Sequence, residues 1–215
     1  MGTDFSTPLR LRSGSVEMTD FINAMTLGQM EETMKNLWTL PETVVLDGKS
    51  YPINWDFRDI LEIFSYLTDP DLPAIFRWEI ALSLFYREEI PPEGAAEAFT
   101  EFIRGGEIPQ DSAAPKLFDW TQDAPIILSE INKVAGREIR GEKSIHWWTF
   151  LGWFHAIGEG RFSFLVSLRD KLWRGEKLTD GENRFYWENK SLVDLRGRYS
   201  RREIAEKERL LALLG

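Results

Sequence analysis

The chain has 215 residues, no cysteine, nine Trp, 43% hydrophobic and 28% charged residues, and a formal net charge of −9. This excludes a disordered or membrane-embedded composition and, without Cys, any disulfide, thiolate metal site or cysteine nucleophile. The charge opposes general nucleic-acid binding.

The charge is also unevenly spread. Residues 160–215 hold thirteen Lys/Arg and nine Asp/Glu, or +4, which leaves −13 for residues 1–159. Such asymmetry suits head-to-tail self-association or a charged partner. A solvated charge distribution with no role is the simpler reading. No apolar run approaches the roughly 18 residues of a membrane span, and the N-terminus lacks a basic-then-apolar secretory pattern. Cytoplasmic residence is the expectation.

Residues 1–36 hold Ser, Thr, Gly and all five Met with little periodicity, and read as a poorly ordered leader. Met30 and Met34 offer alternative starts. Residues 37–215 then read as one helical domain. Two apolar runs flank Asp47-Gly48, a strong hairpin signal, and Pro52 confines the second strand to an edge. Asn54 is placed to cap a helix with Phe57, Ile60, Leu61, Phe64 and Leu67 as its apolar positions, stopped by Asp69-Pro70.

Pro73 opens a second helix with Ile75, Phe76, Ile80, Leu84 and Phe85 inside. A third carries Ala95, Ala96, Phe99, Phe102 and Ile103, closed by Gly105-Gly106, and residues 107–115 read as a linker. Asp123 or Thr121 caps the next helix, whose first turn accepts Pro125 and which Gly136 ends. Ser144 is placed to cap a Trp-rich helix. There Trp147, Phe150, Leu151 and Phe154 share one face, while Trp148 and Trp153 point elsewhere. Further helices run from Phe162 to Arg174, from Asp180 to Asn189 behind a Thr179 cap, and from Arg201 to Leu214. The expected fold is mainly α, a compact multi-helix domain with one short N-terminal β-hairpin.

No catalytic constellation emerges. His146 and His155 sit nine residues apart on different faces of one helix, with no HExxH, Walker, GxGxxG or GxSxG pattern anywhere. A lone His among aromatics reads as a packed or capping residue. Asp119 and Asp123 read as helix-start acids rather than a paired-carboxylate site. No metal, cofactor or catalytic residue is assigned. Arg169, Lys171, Arg174, Lys177 and Arg184 interleave with Trp173, Phe185, Tyr186 and Trp187. Interspersed acids disfavour nucleic acid there, so a protein-binding surface is the more economical reading. The candidate protein-binding residues are Trp148, Trp153, Trp173, Tyr186 and Trp187.

Several ordered segments carry a resemblance. They are Asp47-Gly48-Lys49-Ser50-Tyr51-Pro52-Ile53-Asn54-Trp55-Asp56-Phe57-Arg58, Asp69-Pro70-Asp71-Leu72, Phe118-Asp119-Trp120-Thr121-Gln122-Asp123-Ala124, Ile145-His146-Trp147-Trp148-Thr149-Phe150 and Phe185-Tyr186-Trp187-Glu188-Asn189-Lys190. Over residues 44–195 the chain resembles the gene-product-fifteen family of Gram-positive phages and prophages. It departs from the family pattern at Trp55 for the usual Thr, Thr149 for Lys, and Pro125 in a first turn. The resemblance implies a tail assembly chaperone in the host bacterial cytoplasm. It would coat the tape-measure protein, yield to the tail tube protein, associate with itself, and catalyse nothing. The alternatives are a tail or connector subunit retained in the virion, and a nucleic-acid-binding phage protein.

Overall fold

A computed structural model of the chain describes residues 38–105, 115–197 and 203. The chain divides into two units, Met1–Pro41 and Glu42–Gly215, and all elements named below belong to the second. The expected leader over residues 1–36, most of the linker and, Glu203 apart, the helix from Arg201 to Leu214 lie outside the described residues.

Strands β1 (Thr43–Leu46) and β2 (Lys49–Pro52) pair antiparallel, with Leu46 opposite Lys49 and Thr43 opposite Pro52. Asp47 and Gly48 both take positive φ, 49° and 76°, the backbone of a tight two-residue hairpin turn. Helices then dominate: α1 (Phe57–Leu67), α2 (Ala74–Phe85), α3 (Ala95–Ile103), α4 (Ala124–Ala135), α5 (Trp147–His155), α6 (Arg161–Arg174), α7 (Asp180–Glu188) and the single turn α8 (Lys190–Val193). A 3-10 turn, Ile139–Gly141, joins α4 to α5. Among the described residues the protein is mainly helical with one hairpin, as the patterning implies.

The stops follow local chemistry. Gly136 and Gly175 end α4 and α6 in the left-handed conformation that favours glycine. Thr179 caps α7 in a capping box with Glu182, whose backbone N–H donates to the Thr179 hydroxyl.

Two expected caps are different residues. Asp56, not Asn54, caps α1, its carboxylate accepting from the Arg58 N–H at 2.9 Å. Asn54 instead ties α2 down: its side-chain amide donates to the Leu84 carbonyl, and its amide oxygen accepts from Arg87. His146, not Ser144, caps α5, its Nδ1 accepting from the Trp148 N–H at 3.0 Å. The capping role expected of a lone histidine is therefore His146's.

The packing runs α2 on α1, α1 on α5, α5 on α4 and α4 on α6, with α3 against α2 and β1. The core centres on Trp147, Phe150, Phe85, Ile53, Ile60, Ile63, Ile127 and Leu165, all at most 2% exposed. Fully burying one such side chain contributes roughly 1.5–3 kcal/mol. Helix α2 departs in part from its expected orientation: Phe85 is buried as expected and Ala81 joins it, while Ile75 and Phe76 are exposed. Its apolar residues lie on several sides, so periodicity alone does not pick the buried one.

Candidate protein-binding surfaces

The ordered motifs build the scaffold. Backbone at residues 53–58 runs beside residues 145–147: the Phe57 N–H donates to the Ile145 carbonyl and the Trp147 N–H to the Trp55 carbonyl. Asp56 extends this link by accepting from the Ile145 N–H at 2.8 Å, and Arg58 donates to the Glu142 carbonyl. The Trp55 ring stacks on His146 at 5.5 Å, and Phe57 stacks on Phe150 at 4.4 Å. One carboxylate thus caps α1 and anchors the entry to α5.

Trp147 and Trp148 secure α3 from the same helix. Their indole N–H groups donate to the Ile103 and Phe102 carbonyls at the end of α3, each at 2.8 Å, and the Phe102 carbonyl also accepts from the Gly105 N–H.

A second knot holds the C-terminal elements. Asp123 is fully buried, and Arg169 of α6 donates to both of its carboxylate oxygens, at 2.7 and 3.0 Å. The same guanidinium donates to the carbonyls of Leu117, Leu192 and Val193. Asp123 also accepts from the Asp119 N–H, and Asp119 accepts from the Thr121 and Gln122 N–H groups. Arg169, grouped by sequence with a basic surface, is instead a buried clamp. A forked donor suits it to that place, where lysine would offer a point charge. Asp119 and Asp123 organise the turn into α4.

The five candidate binding residues do not form one site. Trp148 and Trp153 are half-buried and pack against the core. Trp173 on α6 is 63% exposed and Trp187 on α7 is 65% exposed. Tyr186 is half-buried, its ring 5.2 Å from that of Trp187, and its hydroxyl accepts from Lys190 at 2.6 Å. Phe164 meets Phe185 of α7. Trp173, nine residues further along α6, is turned half a circle away from Phe164 on a 3.6-residue period. The exposed aromatics therefore occupy two flanks.

Sequence reasoning missed the largest exposed apolar group on one helix: Ile75 at 74%, Phe76 at 51% and Trp78 at 42% on α2. Scattered exposed apolar residues are normal, but Ile75 and Trp78, three apart, share one face of α2, with Phe76 on its flank. An apolar groove of about 410 Å³ lies elsewhere, between the end of α1 and residues 115–121, lined by Leu61, Phe64, Leu67, Phe118 and Trp120. Among the described residues no three His, Asp or Glu side chains are placed to hold a metal ion, and no helix is long and apolar enough to cross a membrane.

These features define a mainly helical domain with a hydrogen-bonded aromatic scaffold and apolar side chains left outside it. A family model described as Bacteriophage Gp15 protein matches residues 38–195, and the chain belongs to that family. It is a phage structural or assembly-related protein. No curated protein and no solved structure matches the chain.

Proposed function

We propose that this protein is a tail assembly chaperone: it binds and coats the tape-measure protein in the host cytoplasm, and tail tube protein displaces it as the tube polymerises. The observation that carries this reading is the family match over residues 38–195. The exposed apolar side chains of α2, α6 and α7 support it, because a client of long amphipathic helices is held through apolar contacts. Coating a long chain needs many weak contacts rather than one tight one, and repeated sites along the client supply avidity while leaving each copy releasable. In this reading the protein acts by binding alone and catalyses no reaction.

Mass spectrometry of purified phage particles tests the reading. A chaperone is absent from finished particles. Detection in fixed ratio to the tail tube subunit would replace this reading with a retained tail or connector subunit.

A further inference from the structure

Helix α2 exposes Ile75 and Trp78 on one face of its first two turns, with Glu79 one turn on from Ile75 and Phe76 to the flank. An apolar patch bordered by charge selects partners by the sign of that charge. Residues 69–104, which contain α2 and α3, carry eight Asp/Glu against three Lys/Arg, a net −5. Exposed Glu97 and Glu101 lie on α3, whose Phe99 meets Trp78 edge to face at 6.0 Å. Arg77 donates to the Leu72 carbonyl and Arg87 to the Asn54 side chain, while Glu88 lies 3.8 Å from Lys49.

We propose that the α2 face is a docking site for a basic amphipathic helix of a partner protein. Its apolar stripe would lie on Ile75 and Trp78, and its Lys or Arg residues would face the acidic surround. A second copy of this chain is a poorer occupant through the same face, because two such faces would bring like charges together. The inference rests on the reading that this protein works by binding another chain. It adds which face is used and what kind of segment is held.

The test uses the purified full chain and two fluorescein-labelled helical peptides sharing one i, i+3, i+4, i+7 leucine pattern, the other positions Lys in one and Glu in the other. Fluorescence anisotropy is read at low and high salt. The proposal expects the Lys peptide to bind at least tenfold more tightly than the Glu peptide at low salt, with the gap narrowing as salt rises. Ile75→Asp abolishes binding while its circular dichroism matches the parent's. Glu79→Lys weakens the Lys peptide and strengthens the Glu peptide.

Equal binding of the two peptides, or Lys-peptide binding that survives both substitutions, would overturn it. So would a parent chain that sediments as a dimer and that Ile75→Asp renders monomeric, since the face would then be covered by a second copy. Because the peptides are synthetic, this result is independent of whether the natural client is a tape-measure protein.

Discussion

Replacing Arg169 with Met retains most of the side chain's volume and removes its five hydrogen bonds. Asp123 then stays buried with its charge and keeps the Asp119 N–H, while the carbonyls of Leu117, Leu192 and Val193 lose their shared donor. Breaking a buried pair by deleting one partner costs about 3–5 kcal/mol. Against a total stability of roughly 5–15 kcal/mol, that is a large fraction. For a chain of this length each kcal/mol moves Tm by about 2–4 °C, so Arg169→Met should lower Tm by roughly 6–20 °C. Urea unfolding followed by circular dichroism gives the free energy directly. The double variant Arg169→Met/Asp123→Leu no longer buries an unpaired charge. It should therefore be less destabilised than the two single changes added together, by up to about 3 kcal/mol. A cost below about 1 kcal/mol for Arg169→Met, or strictly additive single changes, would refute the clamp.

Trp147→Ala should destabilise by about 3–5 kcal/mol, since the ring is 1% exposed and its indole holds the end of α3, whereas exposed Trp187→Ala should stay within about 0.5 kcal/mol. The same urea titrations check both, and equal costs would contradict the burial assignment. Glu182 gives a pH prediction: its hydrogen bond from Lys171, aided by the Thr179 N–H, holds its carboxyl down to about 2 from an ordinary 4.5. A depressed carboxylate stabilises the fold above its unfolded value and loses that contribution as pH falls through the folded one. The Tm advantage of the parent over Glu182→Gln should therefore be full at pH 7 and shrink between pH 4.5 and pH 2. An advantage that did not change with pH would remove Glu182 from the account.

Local chemistry was readable wherever one residue type settles one conformation. Asp47-Gly48 turns the hairpin, Gly136 and Gly175 stop helices, and Thr179 with Glu182 boxes the start of α7. What escaped depends on distant partners. Asn54 and Asp56 are equally good caps by type, and the choice rests on the Ile145 N–H, 89 residues away, which meets Asp56. Arg169 looks like its basic neighbours until Asp123, 46 residues earlier, is seen against it. Trp147 and Trp187 carry the same side chain at 1% and 65% exposure, and helical spacing assigned only the first. Helix α2 is apolar around most of its circumference, so the face left outside became visible only with α1 and α3 in place. The family resemblance was legible because its motifs are the scaffold's contacts; the exposed patch on α2 lies between two of those motifs.

In the proposed function this protein keeps a long helical client soluble. The most direct measurement is co-expression with the tape-measure protein, followed by affinity co-purification and mass determination of the complex. The account predicts a soluble complex with many copies of this chain on each client, their number giving the spacing of the coat. A client that is equally insoluble with and without this protein, or one that purifies free of it, would contradict the account.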